Sequence, residues 1–314
     1  MRIAIAGDGR LAINLMEPLL ASRHHVVALV QNGRRAGSFQ RRLREAAGRL
    51  LGPLAGVIGL ALRNGIPLIW IDRMTDDELA PLRAISPDVL LVGGFSIILK
   101  KPILEAPRIG CVNTHSSLLP KHRGPNPFAA VIMAGEEESG VTFHQIDEGI
   151  DTGPILEQYR FDIRPQDTAI EVYQRSCSIA GLHIVEVMDR IEKRGIYGQP
   201  QDNAAATYDK KLEKSDSYID WHQPARTIER KVRGLRPFLV GRFRFQGHTI
   251  TTTRVRCEDV KTTEAPGTIL NTRPFVQIAT GEGVITLLVA YAAAPIPWLW
   301  PAAWNRIKAG ERVM

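Results

Sequence analysis

Residues Arg2–Ala12, RIAIAGDGRLA, decide the fold: an apolar run, then a turn with two glycines, then the first apolar positions of a helix that reaches Ala21. Arg2 to Ala6 reads as a buried strand because it is a short apolar run closed by Gly7, and Leu11 to Ala21 carries helical apolar spacing. Outward from there the same alternation repeats. Val26–Val30, Pro67–Ile71 and Asp88–Val92 read as strands, and Leu54–Arg63 and Asp76–Ala84 read as helices. Strands alternating with helices predict the α/β class, a Rossmann-like doubly wound parallel sheet, with ligands held by loops at the carboxyl ends of the strands.

Thr168 and Glu171 form a T-x-x-E capping box that opens a helix through Val172, Tyr173, Ala180, Ile184, Val187 and Ile191, ending at Gly195. The sequence then turns polar before a helical stretch, Ile219–Gly234, and a series of short alternating segments: Val240–Phe245, His248–Arg254, Gly267–Leu270, Val276–Thr280 and Val284–Val289. Short strands punctuated by Gly and Pro predict a smaller C-terminal β-barrel. The expected layout is a catalytic domain at 1–198, a linker at 199–214 and a barrel domain at 215–314.

The 314 residues, 44% of them apolar, suffice for two cores. The 40 basic and 33 acidic side chains leave a net charge of +7, which favours polyanionic ligands without requiring one. Cys111, Cys177 and Cys257 are odd in number and far apart, so neither a disulfide framework nor a zinc knuckle is expected, and a reducing cytoplasm fits. His24, His25, His115, His122 and His144 lack metal-ligand spacing, so no metal is expected. Leu287–Trp304 is apolar but broken by Pro295, Pro297 and Pro301, which reads as packing material, and Met1–Gly7 reads as a strand and not a secretory leader. No membrane partner is expected; the oligomeric state is left open.

Gly7-Asp8-Gly9-Arg10-Leu11-Ala12 matches the G-x-G-x-x-A dinucleotide fingerprint. Its second half fails, because Gln31 and Asn32 stand where an acid should hold a ribose hydroxyl. Arg34 and Arg35 could receive a 2′-phosphate, which keeps an NADP oxidoreductase as one reading. The others are a tight turn with close packing, or an acceptor-side loop.

The chemistry lies in Asn113-Thr114-His115-Ser116-Ser117-Leu118-Leu119-Pro120-Lys121-His122-Arg123-Gly124-Pro125-Asn126-Pro127, which follows a strand at Gly110–Val112. Side chains alternate along a strand, so Asn113 and His115 share a face. Gly140-Val141-Thr142-Phe143-His144-Gln145-Ile146-Asp147-Glu148-Gly149-Ile150-Asp151-Thr152-Gly153 then carries a strand into an acidic, glycine-bearing loop. Acyl transfer to an amine needs donors for an oxyanion and a base for the proton the new ammonium loses. Asn113 and His115 can supply donors, and Asp151 can orient His115 and raise its basicity.

These strings resemble the N-x-H-x-S-L-L-P-x-x-R-G-x-x-P and G-V-T-x-x-x-x-D-x-G-x-D-T-G signatures of the formyltransferase superfamily at every signature position. The resemblance implies a 10-formyltetrahydrofolate co-substrate and a catalytic trio of Asn113, His115 and Asp151. It also implies a folate pocket lined by Ser117, Leu118, Leu119 and Pro120, by the loop with Asp147, Gly149 and Ile150, and by Gly94, Phe95, Ser96 and Ile97 after the fourth strand; Gly94 replaces part of an A-Y-G string common in relatives. Thr207–Leu212, Ile219-Asp220-Trp221 and Ile228–Leu235 with Pro237 are similar to the interdomain region of methionyl-tRNA formyltransferases and of formyltransferases acting on nucleotide-linked amino sugars, whose tail is an OB-like barrel.

Residues 31–65 depart from the pattern, and acceptor choice is expected there. Methionyl-tRNA formyltransferases resemble one another in a Gly-Thr-Pro turn where this chain has Gly7-Asp8-Gly9. Arg34, Arg35, Arg41, Arg42, Arg44 and Arg49 against Glu45 read either as a phosphate-gripping segment or as a solvated helix face. The acceptor residues expected are Gly7, Gly9, Arg10, Arg41, Arg42 and Arg123. Arg226, Arg230, Arg233, Arg236, Arg242 and Arg244 add positive charge to the second domain. The acceptor expected first is the methionyl amine of initiator tRNA, then a small amine such as a nucleotide-linked amino sugar. A formyltetrahydrofolate hydrolase and a non-catalytic RNA-binding module are the remaining readings.

Overall fold

The computed structural model describes residues 1–33, 37–292 and 307–314. They form two compact units, one of residues 1–127, 138–162 and 173–210, the other of 128–137, 163–172 and 211–314.

The first unit holds β1 (Arg2–Gly7), α1 (Gly9–Leu20), β2 (His25–Asn32), α2 (Ser38–Leu51), α3 (Gly56–Arg63), β3 (Leu68–Ile71), α4 (Asp76–Ile85), β4 (Val89–Gly93), α5 (Lys101–Leu104) and β5 (Gly110–His115). After α6 (Pro127–Ala134), whose residues from 128 on belong to the second unit, come β6 (Glu138–Gln145), β7 (Ile155–Asp162) and α7 (Ala169–Arg194), the last in the first unit from Tyr173 on. The seven strands form one sheet in the order β3-β2-β1-β4-β5-β6-β7. The first five are parallel, β6 adds antiparallel to β5, and β7 adds antiparallel to β6. Alternation along β1 sends Ile3 and Ile5 into a cluster with Leu11, Leu15 and Leu19, and Ala4 and Ala6 into one with Ile69, Leu79 and Leu82. Both faces are covered, which is why β1 is apolar at every inner position.

Gly7 serves this packing: a Cβ there would lie 2.1 Å from the Gly93 carbonyl oxygen of the neighbouring strand. Gln31 is 1% exposed, and its amide donates to the Gly7 carbonyl at 2.5 Å. The position where a dinucleotide site needs an acid is thus a buried tie between β2 and the β1 turn. Arg34 and Arg35 lie outside the described residues. Gln31→Ala, which leaves that turn carbonyl without its side-chain partner, is expected to lower unfolding free energy by about 1–3 kcal/mol in denaturant titration, with no NADPH-dependent thermal shift in the parent chain.

Two other readings change. The helix expected at Leu54 begins at Gly56, after a 3₁₀ turn at Gly52–Ala55, while the basic segment after β2 contains helix α2, one of the two readings open for it. The units also do not divide at one point: residues 199–210 pack with the first unit, where the Arg123 N–H donates to the Thr207 carbonyl and the Asp209 N–H to the Arg123 carbonyl, and 163–172 join the second.

The second unit holds α8 (Ala225–Leu235) and β8 (Gly241–Phe245), β9 (His248–Glu258), β10 (Ile269–Asn271), β11 (Val276–Ala279) and β12 (Val284–Ala292), ordered β10-β11-β12-β9-β8 and antiparallel throughout. The tail links the two edges. Ile269 N–H donates to Glu311 O and Val313 N–H to Gly267 O on one side, while Met314 N–H donates to Arg244 O at 2.8 Å on the other. This bridging, with Trp221, Ile228, Val232, Phe243, Ile250 and Ile278 inside, gives the sheet its barrel character.

Candidate active site

β5 lies between β4 and β6, with Val92 paired to Asn113 on one side and His144 to Asn113 on the other; His115 pairs with Thr142. Asn113 and His144 are therefore cross-strand neighbours at the end of β5. Asp151 arrives from the loop between β6 and β7 with φ of 54°, in the left-handed region, where Asp is among the tolerated residues. Gln201 holds that loop by donating its amide to the Asp151 and Gly153 carbonyls at 2.8 and 2.7 Å.

The Asp151 carboxylate is the hub. Oδ2 accepts from the Gly124 N–H at 2.9 Å, and Oδ1 accepts from Asn113 Nδ2 at 3.3 Å. His115 Nδ1 lies 3.6 Å from Oδ2 and His144 Nε2 lies 3.5 Å from Oδ1. The hydrogen-bond network assigns the tautomers. His115 Nε2–H donates to the His122 carbonyl at 2.8 Å, which leaves Nδ1 with a lone pair beside the carboxylate. His144 Nδ1–H donates to Gln145 O at 2.8 Å, so its Nε2 accepts from Asn113 Nδ2 at 3.1 Å. His122 is itself fixed, its N–H on Thr207 Oγ1 and its ring on Asp209.

Burial acts to raise the Asp151 carboxyl, but the adjacent His115 and His144 rings and the Gly124 amide outweigh it and hold the group well below the usual carboxylate range. Burial lowers His115, with His144 adding to the effect and Asp151 opposing it. Near neutral pH the arrangement is a neutral imidazole against a fixed anion, ready to take a proton at Nδ1.

The structure thus brings Asn113, His115 and Asp151 together, and adds His144 and the Gly124 amide, which the sequence reading does not include. The signal for His144 was its place in the string from Gly140 where a strand runs into the acidic loop; the register of β6 against β5 makes it the cross-strand partner of Asn113.

The residues expected at the folate pocket divide. Gly94 is exposed with φ of 72°, Phe95 is half-buried against the core, Ser96 is exposed and accepts from Asn32 at 2.6 Å, and Ile97 is buried. Ser117 and Leu119 require correction: both are buried, and the Ser117 hydroxyl donates to Lys121 O at 2.8 Å, so they brace the loop, and only half-buried Leu118 and Pro120 offer surface. Exposed Asp147 accepts from Gly149 N–H and Thr152 Oγ1, and Ile150 is exposed.

Among the expected acceptor residues, Gly9 and Arg10 are exposed at the start of α1, whereas Gly7 is buried for packing. Arg41 donates to Gly33 O at 3.0 Å and stacks over Trp70; Arg42 is exposed. Arg123 is the clear correction. It is 1% exposed, bonded to Tyr208 Oη, Gln201 Oε1 and Asn203 Oδ1, because its planar fork ties residues 201–208 to the first unit. Arg123→Ala is expected to cost about 3 kcal/mol or more of stability, measured by denaturant unfolding, with Arg123→Lys failing to restore it because an ammonium cannot make the same fork.

Among the described residues the one group with metal-ligand geometry is His24, Asp189 and Glu192. Its carboxylates already pair with Arg23 and the Met1 amine, cations that would repel an ion.

Residues 1–188 match the family model described as Formyl transferase and 211–294 the Formyl transferase, C-terminal domain. The chain is 34% identical over 290 residues to a methionyl-tRNA formyltransferase of Parvibaculum lavamentivorans, covering 91% of each chain. It is 32% identical over 289 residues to a methionyl-tRNA formyltransferase of Coxiella burnetii, covering 91% of this chain and 89% of that one. Among solved structures it is similar in fold to the N-formyltransferase of Helicobacter canadensis in complex with folinic acid and dTDP-3-aminofucose, with a TM-score of 0.66 at 22% identity over 91% of this chain and 98% of that one. A matched signature on two successive strands, a carboxylate held against them and family models spanning both units lead to one conclusion: the chain belongs to the formyl transferase family.

Proposed function

We propose that the chain transfers a formyl group from 10-formyltetrahydrofolate to a primary amine, and that the acceptor is the methionyl amine of initiator methionyl-tRNA. The observation that carries the reading is the convergence of Asn113 Nδ2 and the free Nδ1 of His115 on one carboxylate, within 3.6 Å. The acceptor rests on the 34% identity to a methionyl-tRNA formyltransferase along 91% of the chain.

In this reading the amine nitrogen attacks the formyl carbon, and Asn113 Nδ2 turns the N–H that it holds on Asp151 Oδ1 at 3.3 Å to the oxyanion that forms. The nitrogen becomes cationic and gives its proton to His115 Nδ1, where Asp151 stabilises the imidazolium. Collapse of the tetrahedral adduct breaks the bond to N10 of the folate, which takes that proton. The products are a formamide and tetrahydrofolate. Gly9 and Arg10 lie on the acceptor side, Arg42 is exposed to meet acceptor phosphates, and Gly94, Phe95, Leu118, Pro120 and Ile150 receive the folate. The reducing cytoplasm suits Cys111, Cys177 and Cys257, all free thiols.

A nucleotide-linked amino sugar is the second reading, favoured by the Gly7-Asp8-Gly9 turn, where Gly9 takes φ of 67° in front of the α1 amides. Incubation with 10-formyltetrahydrofolate and each acceptor separately, following tetrahydrofolate release, distinguishes them. Release with methionyl-tRNA alone supports the first reading, and release with the amino sugar alone replaces it with the second. Equal release without any amine would make the protein a hydrolase.

A further inference from the structure

Helix α2 presents its apolar side outward. Phe39, Leu43, Ala46 and Leu50 follow the i, i+4, i+7, i+11 spacing of one face, and the three large members are 76%, 59% and 84% exposed. Leu54, just beyond, is 90% exposed. The opposite side docks onto the first unit: Gly48 abuts Leu62 and Ile58, Glu45 accepts from Trp70 Nε1, and Arg41 stacks over Trp70. A contiguous exposed stripe of this kind marks an interaction surface.

Its rim identifies the partner. Arg42 and Arg49 border the stripe on one side and Arg44 on the other; all three are exposed, and among the described residues none makes an ion pair. Glu45, the one acid between Asn32 and Asp72, is turned inward. Leucines flanked by arginines fit an anionic bilayer surface, with the apolar face among acyl chains and guanidiniums at the headgroups. A second copy of this chain would bring two arginine rims together. A nucleic acid would engage the arginines and leave the leucines unburied. The stretch Phe39–Arg63, 25 residues, is long and apolar enough to cross a membrane by length and composition alone. It turns at Gly52–Ala55 and commits Val57, Ile58, Leu60 and Ala61 to the core, a geometry for lying on a surface.

We propose that α2 docks the protein on anionic membrane surfaces. From the sequence no membrane partner is expected, and this surface departs from that expectation; because Arg42 also faces the proposed acceptor, the leucine variant, which keeps every arginine, separates the two roles. The test is co-sedimentation of the full chain with vesicles of phosphatidylglycerol and phosphatidylcholine, against vesicles of phosphatidylcholine alone. Binding is expected to be at least about tenfold stronger to the anionic vesicles, and to fall at least about tenfold for Leu43→Gln/Leu50→Gln and for Arg42→Gln/Arg44→Gln/Arg49→Gln. Both variants change exposed side chains, and an unaltered circular-dichroism melt shows that they fold. No binding to anionic vesicles, or equal binding by the leucine variant, overturns the proposal. So does a parent dimer that the leucine variant turns into a monomer, or a leucine variant that loses tRNA binding while keeping vesicle binding.

Discussion

His115→Ala is expected to lower kcat for formyl transfer by about a hundredfold or more while leaving the Kd for the folate donor within about threefold. The side chain is 5% exposed and contributes one free position, Nδ1, beside the Asp151 carboxylate, so its removal deletes the proposed proton acceptor and little donor-binding surface. Single-turnover transfer compared with equilibrium binding of the folate separates the two quantities. An unchanged kcat removes His115 from the chemistry. The acid limb of kcat/KM in the parent enzyme is expected below about 6.5, the ordinary histidine value, because burial lowers His115 and it must be neutral to accept a proton.

Asp151→Asn is expected to cost a comparable factor, about a hundredfold, and to move that acid limb further down. The anion is the one neighbour of His115 whose charge raises it, so replacing it with an amide lowers the imidazole again and removes the counter-charge for the imidazolium. An amide oxygen can still accept from the Gly124 N–H, so the thermal melt reports an intact fold. A shift of the limb to higher pH would show that His115 is not the titrating base.

Both groups also predict acid lability of the same sign. Asp151 is held below its ordinary value, so its contribution to stability is present above the usual carboxylate pKa and is lost as pH falls through the folded value. His115 is also lowered, so below about 6.5 the unfolded chain takes up a proton that the folded site resists, and stability again declines toward acid. Denaturant midpoints between neutral and acid pH check this; a midpoint that rises toward acid contradicts both directions.

The sequence by itself determined the layered α/β unit, since apolar strands such as Arg2–Gly7 alternating with helices can bury both faces only in that way. It pointed to the proposed trio as well: period-two alternation puts Asn113 and His115 on one side of β5, and the resemblance of the signature strings implies Asp151. Burial and register required the tertiary structure. His144 becomes Asn113's partner only through the pairing of β6 against β5, which depends on how distant segments align. Arg123, Ser117, Leu119 and Gly7 looked like ligand contacts because residue type says nothing of whether a side chain is already spent on residues about 80 positions away, as Arg123 is on Gln201, Asn203 and Tyr208. Likewise a helix was one reading of the arginine-rich stretch after β2, but only the tertiary contacts of Glu45 with Trp70 and of Arg41 with Gly33 decide that its leucines face solvent.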